Sequence, residues 1–110
     1  MQNFTLRTGV FAALFAAACA QAMADEADEL VAYGRELIET NCSSCHAVGA
    51  TDASTHPEAP PFRELSQRYP LEALEEAFAE GIVVGHPDMP VFIAEPDQID
   101  AILTYLATLQ

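Results

Sequence analysis

Two thiols and an imidazole stand together in Cys42-Ser43-Ser44-Cys45-His46. Cysteines three positions apart can be joined as thioethers to the two vinyl groups on one edge of a haem, and the histidine that follows is then held under the iron as an axial ligand. The same residues have two other uses. Half of a zinc site would need His56 or His86 beside His46, and no second cysteine pair follows downstream. A thioredoxin-like redox pair belongs in a βαβ unit, whereas here the preceding sequence reads as helix and the following sequence as loop. The histidine directly after the second cysteine is the specific part of the pattern, and it predicts one covalently attached haem c.

The N-terminus names the compartment that this chemistry needs. Arg7 precedes an apolar run from Val10 to about Ala18, and Ala22-Met23-Ala24 is an A-x-A cleavage pattern followed at once by Asp25-Glu26. Together these describe a secretory signal peptide over residues 1–24, too short to span a bilayer, and they predict a periplasmic protein. Of 110 residues, 24 are then removed, leaving 86 in the single domain 25–110. Cys19 leaves with the leader, so the two remaining cysteines both belong to the C-x-x-C-H motif and no disulfide is expected. Cys19 as a lipidated first residue is a weaker alternative, because Ala16-Ala17-Ala18 lacks the leucine usual before such a site.

Composition limits the partners. All 17 acidic residues lie at or after Asp25, lysine is absent, and loss of Arg7 with the leader takes the net charge from −13 to −14. Such a surface repels nucleic acid and anionic membrane and favours a basic protein partner, although single carboxylates can equally serve solubility. A domain of 86 residues buries a marginal core, so an apolar cofactor inside it would also be structural.

The elements that must position the motif read as helices. Asp28 to about Thr40 carries Leu30, Val31, Gly34, Leu37 and Ile38 on one stripe and delivers Cys42 at its end. Ala47 to Pro61 has no periodicity and reads as a loop. Phe62 to Tyr69 suggests one or two helical turns, and Pro70 fits the first position of another helix, Leu71 to Glu80, with Leu71, Leu74, Ala77 and Phe78 inward and Gly81 as its stop. Ile82 to Glu95, with Gly85, Pro87 and Pro90, cannot form a regular helix. Pro96 opens a last helix whose apolar face is Ile99, Ile102, Leu103, Leu106 and Leu109. The expected fold class is all-α, with three main helices and long connections wrapped around one haem.

The order C-x-x-C-H, then Met89-Pro90 in a proline-rich loop, then a closing amphipathic helix resembles the class I cytochromes c from about Leu30 to Gln110. The resemblance implies that Gly34 is the contact glycine where the first and last helices cross, with Ile102 and Tyr105 as the pair packing over it. It implies Met89 as sixth iron ligand, the one methionine left after the leader is lost. Core filling is the plainer use of a methionine, and His86, three residues upstream, is the competing ligand. The family fixes the second ring nitrogen of its histidine on a proline carbonyl. Pro60 occupies the matching place, with Phe62 against the ring, although Ala59 stands where the family has glycine and Pro61 offers a second carbonyl.

A six-coordinate buried haem takes up one electron and passes it on, so the resemblance implies an electron carrier between redox proteins and not an enzyme. Two alternatives stand beside this: the haem subunit of a periplasmic dehydrogenase complex, and a haem protein with a labile sixth ligand that binds small gases. The expected docking carboxylates are Asp52, Glu58, Asp88 and Glu95, from their place in the family fold.

Overall fold

Helix α1 runs without a break from Thr5 to Cys42 in the computed structural model, which describes residues 5–81 and 88–110. The expected start near Asp28 is therefore corrected. The upstream sequence is rich in alanine and free of proline, so nothing in it stops helical propagation. Residues 12–29 are exposed throughout, with Leu14, Phe15 and Met23 at 63–75 %. From Leu30 onward the helix acquires a packed face: Gly34 and Ile38 are buried, and Val31 and Leu37 lean on the core.

Residues 43–61 form no regular element. A 3-10 turn at Phe62–Glu64 leads into the single α-turn α2 (Leu65–Arg68), then α3 (Leu71–Glu80) and α4 (Pro96–Leu109). No strand occurs among the described residues, so the fold class is all-α, with three long helices and two short consecutive turns. Helix α3 has the expected bounds Leu71–Glu80, and Pro70 lies just outside its first position. Its ψ of 138° is extended, so it caps α3 from outside and Leu71 is the first helical residue. Gly81 ends α3 with φ 91°, a left-handed conformation that a side chain disfavours. Its missing Cβ also leaves room for Val91 and Ile93, whose Cγ1 atoms would lie 3.1 and 3.2 Å from it.

The core forms where α4 crosses α1. Ile99, Ala101, Ile102, Tyr105 and Leu106 are buried on α4, while Leu103 and Leu109 only flank the core. The buried face is thus turned toward Ala101 and Tyr105, because the crossing at Gly34 brings the two backbones together there: a Cβ on Gly34 would strike the Ala101 carbonyl. Tyr105 then reaches past α1, its hydroxyl donating to the Val48 carbonyl at 2.8 Å and tying the last helix to the loop after the cysteine motif. Gln110 adds a second tie, donating to the Phe62 carbonyl at 3.0 Å. Among the described residues, no helix is long and apolar enough to cross a membrane.

Candidate functional site

The end of α1 shapes the cysteine motif. The backbone N–H groups of Cys45 and His46 both donate to the Cys42 carbonyl, at 3.2 and 3.0 Å, so one turn carries both thiols and the imidazole to the same side. Burial pushes the Cys42 thiol up to about 11, which keeps it protonated at neutral pH. No disulfide joins the cysteines; Cys19 is exposed, and Cys42 and Cys45 are half-buried.

His46 is 8 % exposed, and its ring is set from two directions. Nδ1 lies 2.8 Å from the Pro60 carbonyl oxygen, which fixes the proton on Nδ1 and puts the lone pair on Nε2, the tautomer a metal-ligating imidazole needs. The Phe62 ring packs at 4.7 Å between centroids, tilted by 42°. The Pro61 carbonyl, the other candidate, instead accepts the Glu64 N–H at 3.0 Å. Phe62 is anchored in turn, its N–H donating to the Ala47 carbonyl at 2.9 Å.

Cys42, Cys45, His46, Pro60, Phe62 and Met89 line one cavity of about 430 Å³. Leu65, Leu74, Ala77, Phe78 and Phe92 supply its apolar wall, and Glu58, Arg68 and Tyr69 stand at its exposed rim. Phe78 and Phe92 meet edge to face at 6.3 Å. Of these wall residues, Leu74, Ala77 and Phe78 were read from the sequence as the inward face of α3, while Leu65 and Phe92 were not singled out. Arg68 also went unread. It is one of only three cations beyond residue 25, and Arg35 and Arg63 are engaged elsewhere: Arg35 with Glu39 at 2.7 Å, Arg63 with the Asp52 carbonyl at 2.8 Å. His86 lies outside the described residues.

The four acidic positions expected at the docking surface divide. Glu58 lines the cavity and Asp88 adjoins it, 74 % exposed and 3.1 Å from His56 Nε2. Asp52 is turned into its own loop, accepting the N–H groups of Val48 and Gly49 at 2.9 Å each. Glu95 stands at the N-cap of α4, its N–H donating to the Gln98 side chain at 3.0 Å.

The donor set suits a haem and little else. Two thiols on one turn meet vinyl groups, an imidazole with Nδ1 already engaged offers Nε2, and a thioether lines the same apolar space. A closed zinc site needs more: among the described residues, no group of three or more His, Cys, Asp and Glu is placed to hold a metal ion. No curated protein and no solved structure matches the chain. The family model for cytochrome c matches residues 31–110, and the chain accordingly belongs to the cytochrome c family, with a covalently attached haem c as its cofactor.

Proposed function

We propose that this chain is a periplasmic one-electron carrier with a single haem c, ligated by His46 and Met89, which serves redox partner proteins and catalyses no reaction of its own. The observation that carries the reading is the convergence of Cys42, Cys45, His46 and Met89 on one apolar cavity. The cofactor supplies a ferric–ferrous couple when bound. Cys42 and Cys45 hold it through thioethers, and His46, kept in one tautomer by Pro60, offers Nε2. Met89 offers a soft thioether that favours the ferrous form relative to a second imidazole. Phe62, Leu65, Leu74 and Phe78 exclude water, and Arg68 adds a guanidinium at the exposed rim.

The leader reading rests on the first 24 residues: a cation, an apolar stretch and an A-x-A pattern, in a helix whose apolar side chains Leu14 and Phe15 are exposed. Its removal would leave the face of α1 that does pack, from Leu30 to Cys42. The partner reading rests on charge. With 17 carboxylates and no lysine, attraction requires a basic surface on the other protein. Glu58 lines the cavity, and the exposed Asp88 directly precedes Met89 in the chain.

Optical titration of the exported, haem-loaded protein tests the reading. It predicts reversible one-electron reduction with sharp α and β bands, and a weak ferric absorption toward the red from the thioether. A high-spin ferric spectrum would overturn it in favour of an open sixth position for gas or substrate.

A further inference from the structure

His56 and Asp88 are 32 residues apart in sequence, close along the chain to the cavity residues Glu58 and Met89, and His56 Nε2 lies 3.1 Å from Asp88 Oδ2. The ring orientation is fixed by its other nitrogen: Nδ1 accepts the Glu58 N–H at 3.2 Å, so the proton sits on Nε2 and is donated to the carboxylate. The backbone beneath is fixed too. The His56 N–H donates to the Cys45 carbonyl at 3.2 Å, and its carbonyl accepts the Ala59 N–H at 3.1 Å. Thr55, one residue before, donates its hydroxyl to the Ser44 carbonyl at 2.6 Å. His56 is therefore built onto the C-x-x-C-H turn itself. Asp88, at the other end, directly precedes Met89. Among the described residues, this is the one hydrogen bond on segment 88–93; the next along the chain is Ala94 N–H to the Phe78 carbonyl, at 2.9 Å.

We infer that the His56–Asp88 hydrogen bond is a clasp between the covalent attachment motif and the Met89 segment, and that His56 and Asp88 are positioning residues for Met89. The inference rests on the proposed ligation by Met89. A ligand on a loosely held segment is displaced more readily by a competitor, because the displaced segment regains conformational freedom. With one partner 74 % exposed, the clasp is a solvent-screened hydrogen bond to a carboxylate, so its effect is modest and measurable.

The test uses ferric haem-loaded protein at low ionic strength, with imidazole as the competitor and loss of the red-end thioether band as the readout. His56→Ala and Asp88→Ala should each bind imidazole roughly two- to fivefold more tightly than the parent. The double variant should match the single ones, and Asp88→Glu, which keeps a carboxylate, should restore most of the resistance. Unchanged imidazole affinity in both single variants, or effects that multiply in the double, would overturn the clasp. Met89→Ala measured alongside separates the two readings. If it keeps the parental spectrum, the ligand assignment falls and takes the clasp with it; if it loses the band while His56→Ala binds imidazole as the parent does, the clasp alone falls.

Discussion

Gly34 lies so close to Ala101 that a methyl group at position 34 would strike the Ala101 carbonyl and come within 3.0 Å of Tyr105 Cβ. Backbone meets backbone at this crossing, and neither side can yield as a flexible side chain would. Gly34→Ala should gain about 1 kcal/mol in helix propensity and lose more to overpacking, for a net destabilisation of at least about 1–2 kcal/mol. In a domain this small that lowers the melting temperature of the haem-loaded protein by several degrees, on the order of 4–8 °C per kcal/mol. A variant that melts with the parent would show that the helices part at no cost.

Asp52 should make stability pH-dependent. Desolvation in its turn pushes the carboxyl up, but the N–H donors of Val48, Gly49 and its own residue, with the Arg63 charge 3.7 Å away, together hold it below its ordinary value of 3.8. A group lowered in the folded state contributes stability above its unfolded value and loses it as pH falls through the folded one. Asp52→Asn should therefore be less stable than the parent at neutral pH, and the gap should close below about pH 4. Denaturant midpoints across pH 2.5–7 check this; a gap that persists at the acid end contradicts it.

Local signals carried much of this fold, and long-range contacts carried the rest. Helix α4 was legible to the residue, since Pro96 marks its first turn and Ile99, Ile102 and Leu106 keep the helical period. The start of α1 was not, because an alanine-rich stretch without proline gives no stop. The six cavity residues were legible from one motif and one resemblance, as was the Gly34 crossing. The Tyr105–Val48 and His56–Asp88 bonds join positions 57 and 32 apart and leave no periodic trace. Asp52 and Glu95 looked like surface charges for the same reason: a carboxylate serving a turn or helix cap has the composition of one facing water.

Folding should depend on the cofactor. Left empty, the cavity of about 430 Å³ exposes the apolar side chains of Phe62, Leu65, Leu74, Phe78 and Phe92 to water, in a domain too small to bury a sizeable core elsewhere. Exported chain with both Cys42→Ala and Cys45→Ala should show no cooperative thermal transition by circular dichroism. A sharp, haem-independent transition would contradict this.

Electron transfer with the physiological partner should slow steeply as salt rises from roughly 0.01 to 0.2 M, because the Debye length shrinks from about 30 Å to below 10 Å and steering between a carboxylate-rich surface and a basic one is lost. Stopped-flow rates across that range check it. A flat or rising rate would mean that the acidic surface serves solubility and that docking is apolar.

The reduction potential of Met89→Ala tests the account most directly. The thioethers of Cys42 and Cys45 are untouched, so the haem should remain attached. The iron should turn high-spin or take water or His86, and the potential should fall by on the order of 0.1 V or more, within the ~0.8 V that axial ligands command. A variant that keeps the parental potential and its red-end ferric band would show that Met89 fills space in the cavity wall and ligates nothing.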